Sequence, residues 1–224
     1  DTWTRIIRRV DRLKQIESFV SVALKGSLTA AAHAEGKDVA ERRINCGFEL
    51  VRRGSAIEAL GSAAIAASGT RMDITQSSQK AIINWQSFDI GSQASVRFLQ
   101  PSSTSVMLNR VLAGEASQIY GSLSANGQVF LVNPAGIVFG AGSKVDVGGL
   151  VASTLDITNE DFLAGRLNFS RNGATGGITT QGEITTADGG LIALLAPTVR
   201  NEGVLSARLG NVVLAAGDRV TLQA

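Results

Sequence analysis

Apolar positions in this chain follow two rhythms, and the change between them falls near residue 60. In the first stretch Trp3, Ile6, Ile7, Val10, Leu13, Ile16 and Val20 recur at helical spacing. Arg5, Arg8, Arg9, Arg12 and Lys14 fall largely between them, which predicts an amphipathic helix over about 2–24. A weaker helical stretch is expected from about Val39 to Leu60, broken near Gly47 and Gly54. After residue 61 the apolar residues come in short runs bounded by Gly, Ser and polar side chains: Met72 and Ile74, Ala81–Trp85, Phe88 and Ile90, Val96–Leu99, Val106–Leu108, Val129–Val132. That punctuation belongs to strands. One turn is expected within it, near Asn159–Ala164.

The last third repeats itself. Gly149-Leu150-Val151-Ala152 and Gly190-Leu191-Ile192-Ala193 stand 41 residues apart, read here as two repeats of about 20. Gly190-Leu191-Ile192 and Gly210-Asn211-Val212 stand 20 apart, and Gly182-Glu183-Ile184 and Glu202-Gly203-Val204 are offset by a similar step. Short β runs and glycine corners at such a period describe a solenoid, because one coil cannot bury its inward face until its neighbours stack on it.

Charge sharpens the seam. Residues 1–60 hold 11 Lys+Arg, 8 Asp+Glu and four glycines, whereas 61–224 hold 10, 11 and 21. Two regions are therefore expected: a basic, partly helical leader over 1–60 and a β domain over 61–224. A formal charge of +2 across 224 residues gives no basis for a nucleic-acid partner. Lone Cys46 and lone His33 both precede the seam, which argues against a disulfide framework, a metal site or a Ser-His-Asp arrangement in the β domain. No metal or other cofactor is expected. No apolar run reaches membrane-spanning length, and no secretory signal is visible; 19–34 comes nearest but is interrupted by Lys25. Phe139–Lys144 lacks the spacing of a phosphate loop and reads as an inter-strand loop.

Asn133-Pro134-Ala135-Gly136 is a turn on elementary grounds: Asn suits position i, Pro presets φ at i+1, and Gly suits i+3 of a type I turn. It is expected to be a tight corner between strands at 129–132 and 137–139. Asn84, Asn109, Asn126 and Asn133 are expected to satisfy backbone groups at corners or stack between coils, and Trp85 and Phe88 to be core or cap residues.

The stretches AIINWQSFDIG (81–91), VMLNRV (106–111), SQIYGSLSANGQVFLVNPAGIVFG (117–140), GGLVASTLDI (148–157) and NEGVLSARLGNVVLAAGDRVTLQ (201–223) together resemble the two-partner-secretion domain of filamentous-haemagglutinin and high-molecular-weight-adhesin exoproteins. The resemblance covers about 61–224, with the motifs in the family's order. It implies an all-β, right-handed parallel β-helix preceded by a leader foreign to the family. It further implies a non-enzymatic, export-directing domain, threaded unfolded from the periplasm through a dedicated outer-membrane barrel transporter whose periplasmic domains recognise it. The product is then secreted or held at the bacterial surface, where downstream regions meet host-cell glycans or proteins. The family's Asn-Pro-Asn-Gly-Ile signature corresponds to Asn133, Pro134, Ala135, Gly136 and Ile137, with alanine at the third position. Leu108-Asn109-Arg110-Val111 is similar to an adhesin-type alternative of a companion motif, so Asn109 and Arg110 join the candidate transporter-recognition and folding residues. The same domain could head a haemolysin or a contact-dependent inhibition toxin. A carbohydrate-active β-helix enzyme is the alternative of another class, and it requires acidic side chains converging on one groove.

Overall fold

A computed structural model describes residues 56–112 and 114–223, with side chains from 61 onward. The helix expected over 2–24 lies outside the described residues. Of the stretch expected from Val39 to Leu60, the described part is a strand, Ala56–Leu60, and not a helix. That strand (β1) pairs antiparallel with Lys80–Trp85, so the sheet begins ahead of the boundary expected at residue 61.

The chain winds into a right-handed parallel β-helix. In chain order the strands after β1 are β2 (Ala63–Ser68), β3 (Arg71–Gln76), β4 (Lys80–Trp85), β5 (Ser95–Leu99), β6 (Val106–Val111), β7 (Ser117–Ile119), β8 (Ser122–Ala125), β9 (Gln128–Val132), β10 (Ile137–Phe139), β11 (Lys144–Val147) and β12 (Gly149–Ser153). Helix α1 (Asn159–Ala164) follows, then β13 (Leu167–Ser170), β14 (Ile178–Thr180), β15 (Glu183–Thr186), β16 (Leu191–Ala196), β17 (Val199–Asn201), β18 (Val204–Ala207), β19 (Asn211–Ala216) and β20 (Arg219–Leu222). Each coil visits three faces in turn. The first sheet has the order β1-β4-β6-β9-β12-β16-β19, the second β17-β14-β10-β7, and the third β18-β15-β11-β8-β5-β3-β2. At the amino-terminal end β1 and β2 pair antiparallel with β4 and β3.

The inward side chains, among them Met72, Ile83, Trp85, Val96, Phe98, Leu123, Ile137, Phe139, Val145, Ile184 and Leu194, form one continuous core along the axis. Trp85 and Phe88 are buried in it edge to face, with ring centroids 5.3 Å apart. Glycine marks the corners because coils stack there backbone on backbone. A Cβ on Gly148 would stand 2.7 Å from the Gly127 oxygen, one on Gly190 2.5 Å from that of Gly148, and one on Gly210 2.0 Å from that of Gly190. Adjacent parallel strands lie only about 4.8 Å apart, which leaves no room for a side chain on such a contact.

One repeat expectation fails. Leu150 pairs directly with Ile192, so the residues from Gly149 to Gly190 make one coil and not two. The surplus leaves the solenoid after Ser153 and returns at Ile178, carrying α1 and β13 across the outer face of the first sheet. There Leu155, Ile157, Phe162 and Phe169 join Ile82, Leu108, Phe130, Val132, Val151, Ala193 and Leu195 in a second core. Phe130 lies 5.7 Å from Phe162 and 6.4 Å from Phe169, centroid to centroid. Strands β9, β12 and β16 of the first sheet are thus buried on both faces and read as near-continuous apolar runs, such as Leu191–Ala196.

Candidate functional site

The Asn133 corner is built from the outside in. The Gly136 N–H donates to the Asn133 carbonyl at 3.0 Å, closing a four-residue turn. The Ala135 N–H donates to Asn133 Oδ1 at 3.0 Å, an Asx turn superimposed on it. Gly136 has φ +126°, a conformation that side chains with a Cβ rarely adopt. A Cβ there would also stand 3.2 Å from both Ala116 Cβ and the Gly177 oxygen. Ala135 has no positive φ, in keeping with a type I turn, and it is only partly buried.

Asn133 itself is completely buried. Its Nδ2 donates to the Glu115 carbonyl and to Ser117 Oγ, both at 3.0 Å, and its backbone N–H donates to the Ser153 carbonyl at 2.9 Å. The residue therefore holds its own turn and ties it to the coils before and after. Ile137 continues into the core, its N–H donating to the Gly177 carbonyl.

Asn109 is 0% exposed as well. Its Oδ1 accepts the Trp85 indole N–H at 3.0 Å, and its Nδ2 donates to the Phe130 carbonyl at 3.3 Å, linking β4, β6 and β9 through the core. Arg110 is the next residue on the strand and so points the other way. Its Nε donates to Asp156 Oδ1 at 3.1 Å, its Nη1 to Asn159 Oδ1 at 2.8 Å and to Asn84 Oδ1 at 3.4 Å, and its Nη2 to the Ile157 carbonyl at 2.5 Å. The motif Leu108-Asn109-Arg110-Val111 is a two-faced strand: Leu108 and Arg110 hold the insertion, Asn109 and Val111 the interior.

The structure does not bring the seven candidate residues together on one surface. Asn109 is in the axial core, Arg110 under the insertion, and Asn133–Ile137 at a corner between the first and second sheets. Asn126 fulfils the expected corner role, exchanging two 2.8 Å hydrogen bonds with the Gln100 backbone. Lys80, which no sequence pattern singles out, donates from Nζ to the Phe162 and Leu163 carbonyls at 3.2 and 2.7 Å, neutralising the carboxyl end of α1. At the other end Thr158 caps the helix, its Oγ1 accepting from the Asp161 N–H at 3.1 Å. The only hint in the sequence was the expected turn at Asn159–Ala164, which is this helix.

Among the described residues, five aspartates are each paired with arginine. Asp73 lies between Arg71 and Arg97, Asp156 on Arg110, Asp161 on Arg166, Asp188 on Arg208 and Asp218 on Arg171. Burial pushes the Asp73 carboxyl up, but hydrogen bonds and charge from Arg71 and Arg97 outweigh it and hold the group below its ordinary value. The Asp161 carboxyl is held down by Arg166 and Asn168, and that of Glu202 by Gln181 and Arg200. A general acid needs a shift in the other direction. Among the described residues no cluster of His, Cys, Asp and Glu could hold a metal ion.

A family model described as the TPS secretion domain matches residues 55–224, from the residue before β1 to the end of the chain. The chain belongs to the TPS secretion domain family. Two curated relatives, both called heme/hemopexin-binding protein and both from Haemophilus influenzae, are similar to it. One is 32% identical over 209 residues, covering 90% of this chain and 22% of the relative. The other is 45% identical over 101 residues, covering 45% of this chain and 11% of the relative. The crystal structure of the HMW1 secretion domain from Haemophilus influenzae superposes with a TM-score of 0.69 at 36% identity, covering 76% of this chain and 46% of that one. The chain spans about a fifth or less of the length of the curated relatives it matches.

Proposed function

We infer that this TPS domain directs export of a larger surface exoprotein through a dedicated outer-membrane barrel transporter, and that the transporter's periplasmic domains read it as an unfolded chain. The observation that carries this reading is the burial of the signature side chains. Asn133 and Asn109 are 0% exposed, and the side-chain oxygen and nitrogen of each already have partners inside the fold. A receptor that reads these amides must meet them before the corner closes. Once folded, the corner offers it only the partly buried Pro134 and Ala135.

The folded state is then the state reached outside the cell. The route crosses the periplasm, and the product is secreted or held at the surface. The adhesin-type reading is supported by the similarity of Leu108-Asn109-Arg110-Val111 to the adhesin-type form of the companion motif. Contacts with host-cell glycans or proteins are assigned to regions beyond this domain.

The test is secretion. The domain is given an inner-membrane export signal and co-expressed with its cognate transporter, and its amount outside the cell is measured. The Gly136→Val variant is expected to be exported poorly and Ala135→Asn as well as the parent or better. Export of Gly136→Val at the parental level removes the corner from both recognition and folding.

A further inference from the structure

We propose that the insertion between β12 and β14, together with β20, is a strap that couples the coils of β4 and β6 to the coil of β17, β18 and β19. These coils then open as one unit and do not close until Arg219–Leu222 has joined the strap.

Coils of a solenoid normally touch only their neighbours, so stability adds up locally and open ends fray. The strap runs across that local architecture. It leaves the coil at β12, yet its helix is held by Lys80 of β4 and its helix entry by Arg110 of β6. Its returning strand, β13, pairs antiparallel with β20, which follows β19: Leu167 is opposite Leu222 and Ser170 opposite Arg219. Arg171 reinforces the joint, its N–H donating to the Asp218 carbonyl at 2.8 Å and its Nη1 to Asp218 Oδ1 at 3.0 Å. Thr221 Oγ1 donates to Asn168 Oδ1 at 3.0 Å. The outer core beneath draws residues from β4, β6, β9, β12 and β16, with Val213 and Ala215 of β19 and Val220 and Leu222 of β20 packed against it. Residues from Lys80 to Leu222 are thereby joined by one apolar layer and two cationic anchors. Neither anchor lies in a coil adjacent to β20.

Native-state hydrogen exchange on the full chain tests this, because it reports opening strand by strand. Leu205→Ala loosens the coil of β17, β18 and β19 outside the strap. In the parent background it is expected to accelerate exchange in β4 and β6 as much as in β16 and β19, by about tenfold. In a Phe162→Ala background, which detaches the strap from Phe130, the same substitution should accelerate β16 and β19 alone. Should Phe162→Ala fail to fold, Arg110→Met supplies the weakened strap. Acceleration of β4 and β6 in both backgrounds overturns the proposal, since the coils then communicate without the strap. Acceleration confined to β16 and β19 in both overturns it too, since the ends are then independent.

Discussion

Trp85 and Asn109 face each other across adjacent coils, with the indole Nε1 donating to the amide Oδ1 at 3.0 Å in a fully buried environment. Each group makes the other tolerable. An unpaired indole N–H in this core would lose its hydration without recompense, and so would an unpaired amide oxygen. Asn109→Leu is therefore expected to destabilise the domain by about 1–3 kcal/mol. In the double variant with Trp85→Phe the loss should be smaller than the sum of the single losses. Urea unfolding followed by circular dichroism measures both. Strictly additive losses would show that the two residues do not interact.

Gly136 and Ala135 are neighbours with opposite tolerances. Gly136→Val forces a β-branched residue to φ +126° against Ala116 and Gly177, at a cost of about 1–3 kcal/mol. Ala135→Asn places a larger side chain at a partly buried position whose φ is not positive, and stability should change by less than about 0.5 kcal/mol. The comparison is made by chemical denaturation of the two purified variants. Equal losses would contradict the turn geometry.

The Asp73 carboxylate gives the acid limb of stability a definite sign. Its native pKa lies below the ordinary value, so its contribution is fully present above the unfolded pKa of about 3.9 and is lost as pH falls through the native one. Arg71 and Arg97 are substantially exposed, which limits the effect to about 1 kcal/mol or less. Asp73→Asn should flatten the fall in unfolding free energy below pH 4 and leave the slope between pH 5 and 7 unchanged. A variant as acid-sensitive as the parent would remove Asp73 from the account.

Corner glycines are expected to divide by contact. A Cβ on Gly203 would stand 2.1 Å from the Gly182 oxygen, whereas one on Gly142 or Gly189 meets nothing within 4 Å. Gly203→Ala must push two coils apart. Gly142→Ala meets only the backbone preference at φ +85°, about 1 kcal/mol. Thermal unfolding of the two variants should show the larger loss at Gly203, and the reverse order would refute the stacked-corner explanation.

Much of this fold was legible because its rules are local. Glycine corners, short apolar runs and the Asn-Pro-Ala-Gly turn each announce themselves within a few residues, and the strands lie close to where the pattern placed them. What stayed hidden depends on partners far along the chain. The residues from Gly149 to Gly190 read as two repeats because the insertion happens to be about one coil long. Nothing near Arg110 reveals that its partners are Asp156, Ile157 and Asn159. Leu108 and Phe130 looked like ordinary strand residues, although they face a second core that forms only when the insertion folds back. The burial of Asn109 and Asn133 was equally invisible, since an asparagine beside an apolar strand can point to either face.

The central claim is that the signature is read before folding and sequestered by it. Its most direct test is binding of this domain to the immobilised periplasmic domains of its transporter, with one sample natively folded and the other diluted from denaturant immediately before contact. The account predicts that the unfolded chain binds, that Asn133→Ala weakens this binding, and that the folded domain binds at least about tenfold more weakly. Equal binding of the folded and unfolded samples would contradict it.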